Sequence, residues 1–259
     1  MNNNFEVYTL FSSSKGNSVY VRYNDTRVLI DAGRPMKAVS DALKAIGSSL
    51  GEIDAIFVTH AHSDHVKGIP VICAHYDIPV HMTAGTADEF YGKSGAQSDG
   101  IIRHDVRFTV SVGELKIHSF VTPHDSYDSV GYIIESADYT LGVCTDTGCI
   151  SREMAAELVH CNGAIIESNY DSDMLHKGPY PYFLKRRIDA NTGHLSNEKC
   201  AELVCLLAKA GVKKIMLAHL SPENNLPQKA LSASCAALSR IGMTDVDISV
   251  ADKMLPTRF

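Results

Sequence analysis

The stretch Thr59-His60-Ala61-His62-Ser63-Asp64-His65-Val66-Lys67-Gly68 sets three imidazoles and a carboxylate within six residues, directly behind the apolar run Ile53-Asp54-Ala55-Ile56-Phe57-Val58. The run reads as a buried strand over residues 53–59. A strand end holds side chains on a rigid scaffold, and a tight turn behind it folds His60, His62, Asp64 and His65 toward one point. That H-x-H-x-D-H spacing supplies two nitrogens to one divalent ion, and an oxygen plus a nitrogen to a second. A solvated polar loop is the plainer alternative, so remote partners decide the matter.

Such partners stand at the ends of other predicted strands. Val121-Thr122-Pro123-His124 offers a further nitrogen, Gly142-Val143-Cys144-Thr145-Asp146-Thr147-Gly148 a carboxylate, and Ile215-Met216-Leu217-Ala218-His219 a fifth histidine. Each alone has a bland reading, a satisfied core histidine or a turn-forming Asp-Thr-Gly. Their order and shared strand-end placement raise them together.

Outward from these segments the chain alternates short strands and amphipathic helices. An N-terminal meander is expected over residues 6–10, 18–23 and 27–31, followed by a helix over 36–46 that stops at Gly47. Strands follow near 80–82, 107–110, 115–121, 131–135, 139–145, 164–167 and 213–218, with helices near 86–91, 152–159 and 197–210. The pattern suggests two sheets between helical layers. At 259 residues and 45% hydrophobic content, the chain is expected to form one domain over 1–259.

A net charge of −6 gives no global basic field toward nucleic acid or anionic membrane, so any phosphate-binding surface must be local. Seven cysteines without a C-x-x-C pair favour a reducing cytoplasm. The start MNNNFEVYTL lacks the order of a signal peptide, and no apolar run approaches ~18 residues, so a soluble protein without membrane association is expected.

The set THAHSDH, PHD, CTDTG and AHLSP, with Val28-Leu29-Ile30-Asp31-Ala32-Gly33 upstream, resembles the metallo-β-lactamase superfamily. The resemblance implies an α/β fold, the four-layer αββα sandwich. It places His60, His62 and His124 on one metal, Asp64, His65 and His219 on the other, and Asp146 between them. Asp64 then counts among the catalytic residues and Asp31 orients the site from behind, although a turn carboxylate is the simpler reading of Asp31. Two divalent ions bracketing a water supply a nucleophile at neutral pH, which makes hydrolysis the expected reaction. Zn, Mn and Fe all suit histidine and aspartate donors. Di-iron members of the superfamily carry Glu where His62 stands here, which argues against a redox role.

Substrate class turns on Thr192-Gly193-His194-Leu195-Ser196-Asn197-Glu198-Lys199. Ser196 is placed to cap the following helix, and His194 is in the plainer reading a loop residue ahead of it. Beside two metals, a helix N-terminus with a hydroxyl and an imidazole suits a phosphate oxygen, and His194 can protonate a leaving alkoxide. Ribonuclease Z-like phosphodiesterases carry a similar Gly-His segment. The chain is more similar to the WalJ (YycJ) group of bacterial DNA nucleases, through FSSSKGNS, IIESNYDSDMLHKGPYPYFLKRRI and GHLSNEKCAELV. That resemblance implies a DNA exonuclease working 5′ to 3′. The alternative is a small-molecule metallohydrolase acting on a cyclic or activated phosphodiester, lactone or thioester.

The segment YPYFLKRR, 180–187, interleaves aromatic and basic residues. Lys185, Arg186 and Arg187 are candidates for backbone phosphates, with an aromatic stacked on an end base and Lys15 and Lys177 extending the patch. A Pro-containing loop with packed aromatics and a solvated basic face serves equally well as a reading. The partner expected is nucleic acid, DNA before RNA, and nothing calls for an obligate protein partner. Histidines 75, 81, 104, 118, 160 and 176 lack strand-end context and read as structural or surface residues.

Overall fold

Apolar residues on both faces of successive short strands require cover on both sides, and the chain provides it with two sheets and two helical layers. The computed structural model describes residues 4–94 and 100–259. Residues 1–3 of the N-terminal stretch lie outside them. Strands β1 (Phe5–Ser13), β2 (Gly16–Tyr23) and β3 (Thr26–Ile30) form the expected antiparallel meander, with Asn24 at a left-handed φ of 52° in its second turn. After α1 (Met36–Ala45), β4 (Ala55–Phe57) joins β3 in parallel. Helices α2 (Ser63–Val66) and α3 (Ile69–His75) lead to β5 (Val80–Thr83), and α4 (Ala84–Ser94) leads to β6 (Ile101–His104).

The second half opens on the antiparallel strands β7 (Thr109–Val112), β8 (Leu115–Val121), β9 (Val130–Glu135) and β10 (Thr140–Cys144). Helix α5 (Arg152–Leu158) precedes β11 (Gly163–Glu167), and α6 (Ser172–Lys177), α7 (Tyr182–Ile188) and α8 (Asn197–Ala210) precede β12 (Lys214–Ala218). Helix α9 (Pro227–Arg240), β13 (Asp247–Val250) and β14 (Thr257–Arg258) complete the chain. The first sheet runs β14-β1-β2-β3-β4-β5-β6 and the second β13-β12-β11-β10-β9-β8-β7.

Strand periodicity sorts the core into three layers. Val28, Ile30 and Phe57 face Val130, Tyr132, Ile134 and Val143 between the sheets. Their neighbours Leu29 and Ile56 turn outward to Val39, Leu43 and Ile72 of the first helical layer. Ile133 and Ile166 turn the other way, to Met154, Leu158, Leu203 and Leu207. Each such fully buried side chain contributes roughly 1.5–3 kcal/mol by leaving water. The order helix, sheet, sheet, helix is the αββα sandwich expected from the resemblance. Tyr132 joins the sheets directly, its buried hydroxyl donating to the Val58 carbonyl at 2.6 Å, just ahead of the histidine-rich turn.

Several elements differ from the sequence reading. The strand placed at 107–110 begins at Thr109, and the segment at 180–187 holds a helix, α7, behind Pro181 as its N-cap. Neither β6, β13, β14 nor α9 was anticipated. Helix α9 buries only small or isolated side chains, Ala230, Ser234, Ala237 and Leu238, which leaves a weak apolar signal. Among the described residues, no helix is long and apolar enough to cross a membrane. Cys144, Cys149, Cys161, Cys200, Cys205 and Cys235 form no disulfide.

Candidate metal centre

The parallel strands β3 and β4, and β10, β11 and β12, end along one edge where the two sheets meet. Directly beyond them, Asp31, Asp146 and His219 take left-handed φ values of 64°, 58° and 55°. A non-glycine residue there costs on the order of 1–3 kcal/mol and persists only where its surroundings hold it. The surroundings do so: Asp31 N–H bonds to the Phe57 carbonyl at 2.8 Å and His219 N–H to Ser12 Oγ at 2.7 Å.

Asp31 also organises the turn behind β4. Its carboxylate accepts from Thr59 N–H at 2.8 Å, from Thr59 Oγ1 at 2.9 Å and from His65 Nδ1 at 2.7 Å. Gly33 lets this turn close, because a Cβ there would lie 1.6 Å from the Asp64 carbonyl oxygen. On the far side the Asn17 amide reaches His65 Nε2 at 2.9 Å and Asp64 Oδ2 at 3.2 Å.

The seven ligand candidates converge. Donor atoms of His60, His62 and His124 lie within 4.8 Å of one another, and so do those of Asp64, His65 and His219. Asp146 stands between the two trios, Oδ2 at 3.1 Å from His65 Nε2 and Oδ1 at 3.8 Å from His124 Nε2 and 3.2 Å from His219 Nδ1. The donor chemistry fits divalent cations. His65 Nδ1 is turned to Asp31, His60 Nδ1 to Thr59 Oγ1 at 3.0 Å and His124 Nδ1 to the Gly193 carbonyl at 3.0 Å, which leaves each Nε2 for the centre. His60 Nε2, His219 Nε2 and Asp146 Oδ2 are buried without a hydrogen bond. An atom orphaned in this way costs about 1–3 kcal/mol, a cost a bound ion removes.

Burial and charge work against each other here. Burial, with the neighbouring imidazolium of His65, pushes His60 well below 6.5. For His65 and His219, burial also opposes the charge, but the carboxylates around them outweigh it. Asp146, Asp31 and Asp64 raise His65 well above its usual value, and Asp146, Asp64 and Glu167 raise His219 to about 10.

Glu167, at the end of β11, was not singled out from the sequence. Its fully buried carboxylate accepts from His219 Nδ1 at 2.7 Å and His194 Nδ1 at 2.8 Å through Oε1, and from Thr147 N–H and Leu195 N–H through Oε2. Burial opposes its charge, yet the two imidazoles hold it down at about 2. The signal was a lone charge closing the otherwise apolar strand Gly163-Ala164-Ile165-Ile166-Glu167. Asn17, Asn169 and Asp125 were likewise overlooked, and polar loop residues of this kind carry no periodic pattern. Asn169 donates to the His219 carbonyl at 2.8 Å.

A cleft of about 490 Å³ opens over the cluster, lined by His62, Asp64, Asp146, His194 and His219 on its floor and by Leu184, Arg187 and Ile188 of α7 on one wall. His194 stands 3.7 Å from Asp146 Oδ1. The other phosphate candidates divide. Arg187 lines the cleft but is held by Asp125 Oδ2 at 2.6 Å. Lys185 gives its ammonium to the carbonyls of His176 and Gly178, both at 2.8 Å, and Arg186 lies over the Tyr182 ring at 5.9 Å. Ser196 caps α8 by accepting from Lys199 N–H at 3.2 Å and is not part of the cleft lining. The exposed Lys177 pairs with Asp173.

An αββα sandwich carrying histidine and aspartate donors at its strand ends defines a metal-dependent hydrolase. The chain belongs to the Beta-lactamase superfamily domain family, whose profile matches residues 26–220. It is 33% identical over 258 residues to Exodeoxyribonuclease YycJ of Bacillus anthracis, covering 96% of each protein. To Exodeoxyribonuclease WalJ of Streptococcus pneumoniae it is 32% identical over 258 residues, covering 98% of this chain and 94% of that one. The solved metallo-β-lactamase fold protein YhfI of Bacillus subtilis superposes with a TM-score of 0.77 at 14% identity, covering 99% of this chain and all of the other, and shows the shared fold.

Proposed function

We propose that this protein is a dinuclear metal-dependent phosphodiesterase, a DNA exonuclease working from the 5′ end. The observation that carries the reading is the Glu167–His194 pair beside the seven candidate ligands, an imidazole held by a carboxylate and standing outside both ligand trios. Similarity to two exodeoxyribonucleases along nearly the whole chain supports DNA as the substrate. His60, His62 and His124 would hold one cation, Asp64, His65 and His219 the second, and Asp146 would touch both. Such a pair of ions neutralises phosphate charge and acidifies water at neutral pH; Zn, Mn and Fe all suit these donors.

The chain's own residues then divide the remaining tasks. An ionised carboxylate only accepts, so Glu167 fixes the proton of His194 on Nδ1 and orients the ring toward the cleft. With Nδ1–H so held, His194 in its imidazolium form gives its Nε2 proton to the departing alkoxide oxygen and is left as the neutral Nδ1–H ring, a role worth ~10²–10⁴ in rate. Asp31, Thr59 and Asn17 hold the ligand turn rigid against this transfer, and Arg187 remains a candidate phosphate contact once Asp125 releases it.

The test is degradation of 5′- and 3′-labelled single- and double-stranded DNA, RNA and bis-p-nitrophenyl phosphate by the metal-loaded protein, at two salt concentrations. The expected result is stepwise loss from the 5′ end with strong salt dependence. Cleavage of the small ester without cleavage of either polymer would reject the nuclease reading.

A further inference from the structure

The basic residues that the sequence offers to phosphate are mostly engaged elsewhere: Lys185 on two carbonyls, Arg187 on Asp125 and Lys177 on Asp173. Lys15 has no such partner among the described residues. It is exposed in the turn between β1 and β2, directly after Ser14, which lines the cleft. Two further cations come to this turn from the first half of the chain. The Arg34 side chain lies so close on the turn that a Cβ on Gly16 would be 2.2 Å from Arg34 Cδ, and Arg34 Nη1 donates to the Lys15 carbonyl at 3.3 Å. Lys67, exposed at the end of α2, stands one helical turn after the cleft-lining Ser63, to whose carbonyl its N–H donates at 3.1 Å.

Backbone bonds lock the three segments together. Gly33 N–H donates to the Asn17 carbonyl at 2.9 Å, Ala32 N–H to the His65 carbonyl at 2.9 Å and Gly68 N–H to the Ala32 carbonyl at 2.8 Å. Gly68 also seats directly on Arg34, since a Cβ there would lie 2.5 Å from the Arg34 carbonyl oxygen. The Arg34 guanidinium is fixed by packing rather than by charge, 5.6 Å above the Phe11 ring centre and 3.9 Å from Met254 Sδ, and its Nε is buried without a hydrogen bond. Among the described residues, no carboxylate stands within ion-pair distance of Lys15, Arg34 or Lys67. The carboxylates on adjoining segments are turned elsewhere: Asp31 to Thr59 and His65, Asp64 to His65 and His219, Asp252 to the N–H groups of Met254 and Leu255.

We propose that Lys15, Arg34 and Lys67 form a track along the cleft rim for the phosphate backbone of a nucleic-acid substrate. The inference rests on the nuclease reading and adds where the polymer lies beyond its scissile phosphate. Three like charges held together without a counter-ion repel one another, and the closely spaced negative charges of a backbone relieve that repulsion. In a chain of net charge −6, a polyanion needs a local patch of this kind. An arginine already fixed over an aromatic ring loses little freedom on accepting a phosphate, and its planar fork of donors matches the phosphate oxygens. Such contacts read no base, so the track serves any sequence.

The test is the salt dependence of kcat/KM for the metal-loaded protein on an end-labelled DNA duplex, with bis-p-nitrophenyl phosphate as an ester that has no further backbone. On the duplex, Lys15→Gln, Arg34→Gln and Lys67→Gln should each flatten the slope of log kcat/KM against log salt concentration by about 0.9, and the triple variant by about three times as much. Arg34→Lys keeps the charge and should keep the slope. Lys209→Gln removes the same charge at the far end of α8 and should match the unaltered protein. An unchanged slope in the triple variant, an equal flattening by Lys209→Gln, or equal proportional losses on duplex and small ester would overturn the track. If the unaltered protein hydrolyses the ester but degrades neither DNA nor RNA, the nuclease reading fails and the track with it. Salt-dependent degradation that the three substitutions do not alter removes the track alone.

Discussion

Oε1 of Glu167 stands 2.8 Å from Nδ1 of His194, and the same oxygen stands 2.7 Å from Nδ1 of His219. One buried carboxylate thus sets the ring of a candidate proton donor and the ring of a candidate metal ligand. Its second oxygen is filled by two backbone N–H groups, so all four partners donate and the carboxylate has no proton of its own.

Glu167→Gln therefore places an amide NH₂ against groups that are themselves donors. Metal affinity at the His219 side should fall about 10–100-fold, as for other groups that orient metal-bound imidazoles. Turnover should fall with it. Titration of the apo-protein with Zn²⁺ or Mn²⁺ gives the first number and saturating-metal kinetics the second; unchanged values in both would remove Glu167 from the mechanism.

His194 follows Gly193, whose absent Cβ would otherwise lie 2.3 Å from the carbonyl oxygens of Arg187 and Ile188. The ring is consequently held by the close approach of its loop to the last turn of α7 as well as by Glu167. His194→Ala should retain its metals and lose at least ~10² in turnover on a phosphodiester with an alkoxide leaving group. The loss should shrink for p-nitrophenolate, which departs without a proton. A loss independent of the leaving group would assign His194 to phosphate binding.

Asp146 lies close to members of both ligand trios, and its Oδ2 is buried without a hydrogen bond. We expect about two divalent ions per chain by elemental analysis, and severe loss of occupancy and activity in Asp146→Ala. A protein that binds no ion after loading, or an Asp146→Ala variant of full activity, would reject the dinuclear centre.

The ligand set was legible because each of its segments follows an apolar strand, and a charged or imidazole side chain at such a boundary is conspicuous. His60 behind β4, Asp146 behind β10 and His219 behind β12 share this signature, and Glu167 carries it too, yet without a motif partner it passed unnoticed. The layers were legible for the same reason: Val28, Leu29 and Ile30 are all apolar, which implies cover on both faces. The basic run 185–187 was less informative. Charge in a sequence says nothing of how it is spent, and here Lys185 closes a loop on two carbonyls while Arg187 meets Asp125, a residue 62 positions away. Helix α7 itself was hidden because none of its residues is buried, which leaves no apolar stripe to read.

A last prediction concerns stability away from the centre. His81 on β5 stacks on Phe57 with ring centres 4.8 Å apart, and its Nδ1 lies 2.9 Å from His104 Nε2 on β6. His104 in turn stacks on Phe108 at 4.1 Å. One proton joins the two imidazoles, and a second would set N–H against N–H and place a positive charge at the sheet interface. Burial, then the neighbouring His104, lowers His81 from 6.5 to about 4. The sign follows from proton counts: between these values the unfolded chain binds a proton at this residue that the folded chain does not, so stability drops as pH falls from 6.5 toward 4. Burial lowers His104 as well, with Asp105 acting in the opposite sense, so it adds to the same acid sensitivity. His81→Phe keeps an aromatic ring against Phe57 and removes the titrating group. Thermal unfolding of both proteins across that pH window should show a shallower fall in Tm for the variant, and parallel curves would mean that the His81–His104 pair does not contribute to acid sensitivity.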